Sequence, residues 1–230
     1  MTNVYIVKNL FGYEDVISPP INLSMTTVYL TDDKKIANQA KSLGWDKVIV
    51  TNKFKHITDK FERRKSIAYI NSFPLEFIDF KCNYIFICDS NVKKLWNSFN
   101  DFVSLCTSKH ALFLTSSYYS GDRDTLKSEM IASNTERWSY NYNEICKRSL
   151  YYISKIGKEN PSICSAKYIG WNTNHPHYHA MSNFLYNEYC IHLQGNIILT
   201  YMSVIFKDYI FNYKPNDYNG AQLNKHKYKA

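Results

Sequence analysis

The sequence predicts an α/β domain with a mostly parallel central sheet flanked by helices and a helical C-terminal region. Short β-branched or apolar runs recur through its first half, at residues 4–7 (VYIV), 27–31 (TVYLT), 47–51 (KVIVT), 84–88 (YIFIC) and 111–115 (ALFLT). Segments with helical spacing separate several of these runs, and that alternation argues for right-handed βαβ units. The length of 230 residues, with 45% apolar and 21% charged, fits one globular domain and excludes a fibrous, collagenous or disordered chain. A chain this long buries roughly 70–75% of its unfolded surface, enough for a core without staples.

Each element has a local reason. The run at 27–31 stops at Asp32-Asp33, and Asp33 can cap a helix whose apolar face is Ile36, Ala37, Ala40 and Leu43, closed by Gly44. Residues 59–72 read as a helix that Pro74 ends, and 84–88 as a buried strand stopping at Asp89. Asn91 caps a further helix carrying Val92, Leu95, Trp96 and Phe99. The second half is more helical, at 122–132, 140–156, 178–190 and 196–206, with a strand at 166–171. No internal repeat or low-complexity linker is visible. Residues 1–212 read as a single domain and 213–230 as an irregular basic tail.

Lys and Arg number 28 against 20 Asp and Glu, a net charge of +8. The excess favours a phosphate-bearing partner. The basic residues are dispersed rather than blocked, so nucleic acid is not the expected ligand. No apolar run reaches the ~18 residues of a membrane span, and Met1-Thr2-Asn3-Val4 lacks the opening of a secretory signal. The six cysteines form no C-x-x-C pair, which points to reduced thiols and a soluble, cytoplasmic protein.

In open α/β sheets ligands bind outside the carboxyl ends of the strands, where strand order reverses. Two strands end in acidic groups here, at Thr31-Asp32-Asp33 and at Asp89-Ser90-Asn91. Asp and Asn after a strand also serve as helix caps, but an Asp ending an apolar strand sits where hard cations bind. A residue at a strand end lies outside the core, so replacing Asp89 by Ala is expected to leave the fold intact. His175-Pro176-His177-Tyr178-His179 reads as a solvated loop, and Trp171 and Trp138 as sugar-stacking or core aromatics. No phosphate loop, G-x-G-x-x-G or catalytic triad signature appears.

The order of a strand ending TDD, a helix, GW with a strand, a basic helix ending FP, and a strand ending D-x-N resembles the GT-A-fold (Rossmann-like) glycosyltransferases. It is most similar to those of large algal (chlorella) DNA viruses and to glycosyltransferase-like domains of plant mucilage-type proteins and bacteria. Their R-x-x-K before Phe-Pro is matched loosely by Arg63-Arg64-Lys65 and Phe73-Pro74, and a later R-D-x-x-x-x-E by Arg123-Asp124 and Glu129. The resemblance spans residues 3–206 and implies sugar transfer from a nucleotide-diphosphate-sugar to a glycan or glycoside acceptor.

By the same resemblance, Asp89 and Asn91 take the first and third places of a D-x-D motif that holds Mn²⁺ or Mg²⁺, with Ser90 between them. Asn91 offers a carbonyl oxygen where the motif has a carboxylate, which weakens metal affinity and shifts diphosphate charge towards Arg63, Arg64 and Lys65. Thr31, Asp32 and Asp33 would lie beside the base or ribose, and Glu129 or Asp124 would be the acceptor base. Leu193-Gln194-Gly195-Asn196 falls where the related domains carry an acidic D-Q pair, and Asn196 also reads as a helix cap. The alternative from another class is a catalytically degenerate GT-A-like module that holds a partner or nucleic acid.

Overall fold

The computed structural model describes residues 3–11, 17–20, 25–90, 104, 106–116, 125–134, 141–159 and 161–213. Within them the strands are β1 (Asn3–Asn9), β2 (Thr26–Thr31), β3 (Lys47–Val50), β4 (Tyr84–Asp89), β5 (Leu112–Ser116), β6 (Cys164–Asn172) and β7 (Ile210–Tyr213). The helices are α1 (Lys34–Ser42), α2 (Lys60–Ser72), α3 (Leu126–Ala132), α4 (Tyr142–Ile156), α5 (Tyr178–His192) and α6 (Gly195–Ile205), with a 3₁₀ turn at Pro74–Phe77. The strands form one sheet in the order β3-β2-β1-β4-β6-β5-β7. β6 alone runs against the rest, so the mostly parallel α/β architecture read from the sequence is the one observed.

Period-2 alternation explains how the sheet is covered. Val4, Ile6 and Leu10 of the first strand and its extension join Val28, Leu30, Ile85, Ile87, Leu112 and Leu114 in a core shared with α2, α5 and α6. Tyr5, Val7, Tyr29, Phe86, Cys88 and Phe113 pack on the other face with Ala40 and Trp45. Strands buried on both faces read as continuous apolar runs, which is why these were easy to find. Trp171 lies wholly inside and donates its indole N–H to the Asn71 carbonyl at 2.7 Å, so it is a core residue and not a sugar platform.

Helix starts follow the side chains at their ends. Asp33 accepts from the backbone N–H of Lys35 at 2.6 Å and Ile36 at 3.3 Å, and Asp59 from those of Phe61 and Glu62, both at 2.9 Å. Gly44 closes α1 with φ +87°, a left-handed conformation that glycine takes without strain. Residues 210–213, read as the junction with the tail, instead form β7, pairing in parallel with β5 from Leu112↔Ile210 to Thr115↔Tyr213. The helix expected after Asn91, Trp138 and residues 214–230 lie outside the described residues. No helix among the described residues is long and apolar enough to cross a membrane.

The chain passes from β1 outward through β2 and β3, then returns to place β4 on the opposite side of β1. Strand order therefore reverses between β1 and β4, which makes their carboxyl ends the natural ligand crevice.

A close approach in the sheet interior gives the first test. A Cβ at Gly170 of β6 would stand 2.8 Å from two ring carbons of Phe86 and 3.0 Å from Phe113 Cβ. Gly170→Ala should lose about 1–3 kcal/mol through overpacking, seen as a lower denaturant midpoint at unchanged slope.

Candidate functional site

At the reversal point two charged residues face each other across neighbouring strands. Lys8 of β1 is in register with Asp89 of β4, and its ammonium lies 2.5 Å from Asp89 Oδ1. The Lys8 side chain is only 4% exposed, while Asp89 is 31% exposed. Lys8 occupies a position in phase with Val4, Ile6 and Leu10, so its charge is carried into an apolar layer and needs a partner there. The Ser90 N–H donates to the Lys8 carbonyl at 3.0 Å, continuing the pairing beyond Asp89 and fixing its backbone. On α5, burial pushes the Tyr189 phenol pKa upward, a hydrogen bond with Asn71 works against it, and the Asp89 charge adds to the rise. Sequence reasoning missed Lys8. The readable signal was a lysine at an inward position of an otherwise apolar strand.

The second acidic strand end holds the neighbouring backbone together. Thr31 is buried, and its hydroxyl accepts from the Asp33 N–H at 3.1 Å. Asp32 Oδ2 accepts from the Phe11 N–H at 2.9 Å, holding the chain just beyond β1 where Phe11 has φ +62°. Beside them, Asp32, Asp33, Lys34, Val50, Asn52 and Lys55 line a cavity of about 290 Å³. That volume is at the small end of small-molecule sites.

Helical spacing spreads the basic segment apart. Arg63 donates from Nε to the Ile57 carbonyl at 3.0 Å and carries its guanidinium over the Phe11 ring at 5.6 Å, which joins it to the Asp32 corner. Lys65 instead pairs with Glu62 at 2.8 Å and lies 4.5 Å over the Phe61 ring. Arg64 is half-buried. The structure thus brings Thr31, Asp32, Asp33, Arg63 and Asp89 to one edge of the sheet and ties Lys65 up elsewhere on α2.

The expected base, Glu129 on α3, is fully buried, and its Oε1 accepts from Asn196 Nδ2 at 3.1 Å. The carboxylate expected on an open helix face is thus enclosed between α3 and α6. Asn196 is likewise not a helix cap. It sits inside α6 and accepts the Ala166 N–H at 2.9 Å, bridging β6 to α3. The preceding Gln194 donates its side-chain amide to Ser133 Oγ at 2.8 Å and its backbone N–H to His192 Nδ1 at 3.2 Å. With Nδ1 accepting, the His192 proton resides on Nε2, which points at the Tyr152 hydroxyl 3.2 Å away. Tyr152 donates onward to Glu188, and Glu188 receives Arg148 through two bonds of 2.8 and 2.5 Å. Burial lowers His192 to about 4, and burial chiefly also raises the Tyr152 phenol. Burial alone would raise Glu188, but Arg148 and Tyr152 outweigh it and hold that carboxyl low.

Asn91, Asp124 and Arg123 lie outside the described residues. Among the described residues, no group of three His, Cys, Asp or Glu is placed to hold a metal ion, the His175–His179 turn included. The divalent cation implied by the resemblance fits Asp89 poorly. A cation on that carboxylate would stand within about 5 Å of the Lys8 ammonium, where +2 and +1 repel by roughly 7 kcal/mol at an effective dielectric of ~20. One carboxylate would then face three positive charges.

No protein-family model matches the chain, and no curated protein matches it significantly in sequence. Among solved structures it is similar to mouse xyloside xylosyltransferase 1 in its apo form, at 9% identity and TM-score 0.49, over 92% of this chain and 85% of that one. It is similar to the galactosyltransferase LgtC in complex with donor and acceptor sugar analogues, at 12% identity and TM-score 0.49, over 91% and 72% of the two chains. The apo glycosyltransferase GlyE of Streptococcus pneumoniae TIGR4 aligns at 9% identity and TM-score 0.45, over 92% of this chain and 45% of that one.

Two tests follow from the geometry. The expectation that Asp89→Ala spares the fold does not survive the Lys8 pair, because the variant leaves a buried ammonium without its counter-charge. It should lose about 3 kcal/mol in urea unfolding, whereas the Lys8→Met/Asp89→Leu double variant should lose less, since no charge is left unpaired. The second concerns acid. His192 has a folded pKa depressed to about 4 from 6.5, so its stabilisation is full above pH 6.5 and drains away as pH falls towards 4. Between pH 6.5 and 4.5 this removes about 2 kcal/mol, and unfolding curves of His192→Gln should lack that component of the pH dependence.

Proposed function

We propose that this protein transfers a sugar from a nucleotide-diphosphate-sugar to a glycan or glycoside acceptor. The observation that carries the reading is the gathering of two acidic strand ends, Asp32-Asp33 and Asp89, with Arg63 at the carboxyl edge where strand order reverses. In this reading the nucleoside enters the cavity between β2, α1 and the loop after β3. There Asp32 and Asp33 accept from base or ribose donors, and Lys34 and Lys55 face the anionic end. The diphosphate then lies between Arg63 and the β1–β4 crevice, and the sugar points towards Asp89.

The reaction breaks the bond from the anomeric carbon to a phosphate oxygen and forms one to the acceptor oxygen. The acceptor proton is lost, and the nucleoside diphosphate departs with the bonding electron pair. Arg63 and the two lysines favour departure by stabilising that growing negative charge. The network from Glu129 to Arg148 holds the turn between α5 and α6 that closes the far side of the site, and Asp124 is the carboxylate this reading leaves for the base. The short FP and D-x-N motifs support kinship with the viral and plant mucilage-type transferases, and six free cysteines support a reducing compartment such as the cytoplasm. One observation favours the degenerate module instead: Glu129 is enclosed. Such a module would bind nucleotide without turnover.

A thermal-shift screen of nucleotide-sugars, paired with an assay for nucleoside diphosphate release, separates these readings. A true donor at 100 times Kd should stabilise the protein by about 2.7 kcal/mol, and release should accelerate with an acceptor. Lys34→Ala/Lys55→Ala should weaken that donor roughly tenfold without lowering the midpoint of the free protein. A shift without release would favour the module, and no shift with any nucleotide-sugar would overturn both.

A further inference from the structure

We infer that Lys8 takes the place of a divalent cation, so that nucleoside diphosphate binds at the β1–β4 crevice without metal. The inference rests on the nucleotide-sugar reading above and says how the same site manages its charge.

The carboxyl end of β4 presents Asp89 where an anionic diphosphate would arrive. A bare carboxylate there would repel the phosphates, and some cation must offset it. In this chain the cation is covalently part of the neighbouring strand. Lys8 reaches Asp89 Oδ1 at 2.5 Å from a side chain that is 4% exposed, in direct register across the β1–β4 ladder. The ammonium has little room to withdraw, because it lies on the sheet face that also holds Ile6, Leu10 and Ile87. The pair is neutral overall, so a phosphate meets Arg63 and the cavity lysines rather than a net negative charge. Asp89 keeps its capacity to accept hydrogen bonds from sugar or ribose hydroxyls. Two residues on, the chain carries Asn91, a neutral group where a metal-holding motif would place a second carboxylate. Fold stability alone does not account for the pair, since apolar residues of similar volume usually serve as well or better at such a position.

The test uses the full chain stripped of metal with EDTA, and Mn²⁺ alone as the first probe, with free Mn²⁺ followed by electron paramagnetic resonance. The wild type should show no stoichiometric site at micromolar Mn²⁺. Lys8→Met should bind Mn²⁺ more tightly than the wild type does, and Lys8→Met/Asp89→Asn should lose that gain. A stoichiometric wild-type site abolished by Asp89→Asn would overturn the inference, as would a folded Lys8→Met variant that binds Mn²⁺ no more tightly. If Lys8→Met does not fold, the comparison of wild type with Asp89→Asn decides alone.

In the second arm the four common ribonucleoside diphosphates are titrated with and without Mn²⁺. The one that binds should do so within twofold of the same Kd in both conditions, whereas Lys8→Met should bind it at least roughly tenfold more weakly without Mn²⁺ and recover with it. Wild-type binding that requires Mn²⁺ would overturn the inference while leaving the proposed function standing. No binding of any diphosphate would overturn the proposed function, with the Mn²⁺ titration still ruling separately on Lys8.

Discussion

The ion pair between Lys8 and Asp89 is the constraint on which the arrangement of the strand-end site depends. It locks the two strands that flank the reversal of sheet order and does so at their carboxyl ends, where the crevice opens. Parallel neighbours normally hold each other by backbone bonds and apolar side chains alone. Here an ammonium inside the apolar layer can be tolerated only if Asp89 stays against it, so the position of the carboxylate is set by the desolvation cost of its partner. The Ser90 N–H bond to the Lys8 carbonyl adds a backbone clamp to the same spot. The half-exposed Asp89 carboxylate is thereby held at a fixed place on the strand end.

The helices of the second half are held differently. Glu129, Asn196, Gln194, Ser133, His192, Tyr152, Glu188 and Arg148 form linked polar contacts between α3, α4, α5, α6 and the start of β6. Interior polar groups of this kind add little net stability when satisfied, but they specify one arrangement because each alternative leaves a buried group unpaired. Gly195 shows how tight that arrangement is. A Cβ there would run into the Tyr189 hydroxyl and stand 2.6 Å from Ala166 Cβ, so α6 can begin this close to α5 and β6 only with glycine at that position. Tyr189 itself is buried in the core shared with β1 and β4, which ties this turn to the central strands.

Much of this was legible in the sequence for plain reasons. Strands covered on both faces give apolar runs, and helix starts at Asp33 and Asp59 follow from short acidic side chains that complete unpaired N–H groups. The two acidic strand ends could be named as a site because topology sends strand ends to a common edge. What escaped was whatever depends on partners distant in sequence. Lys8 and Asp89 are ordinary charged residues until the register of β1 on β4 sets them opposite one another. Glu129 sits on a seven-residue helix whose pattern does not reveal that a second helix covers it, and Asn196 resembled a cap because its bonds to Ala166 and Glu129 arrive from other elements. β7 was missed because four residues carry no periodicity, and only the exposed edge of β5 makes a strand of them.

Some of the described cations are held in local ion pairs, and others border the strand ends. Lys53 is occupied by Glu76 at 2.7 Å, Lys65 by Glu62 and Lys147 by Glu144, both at 2.8 Å, and Arg148 by Glu188 within the interior. These four cations of the 28 Lys and Arg sit in local couples whose fields cancel within a few ångströms. Near the strand ends the balance differs. Arg63 spends its Nε on a neutral carbonyl and keeps its full charge beside Phe11, and Lys34 and Lys55 border the cavity, while Lys8 cancels Asp89 alone. Asp32 and Asp33 offset part of this charge, but each already accepts hydrogen bonds from nearby backbone N–H groups. Arg63, Lys34 and Lys55 thus stand beside Phe11 and the cavity, where a charge acts at short range and is screened by salt beyond about 10 Å.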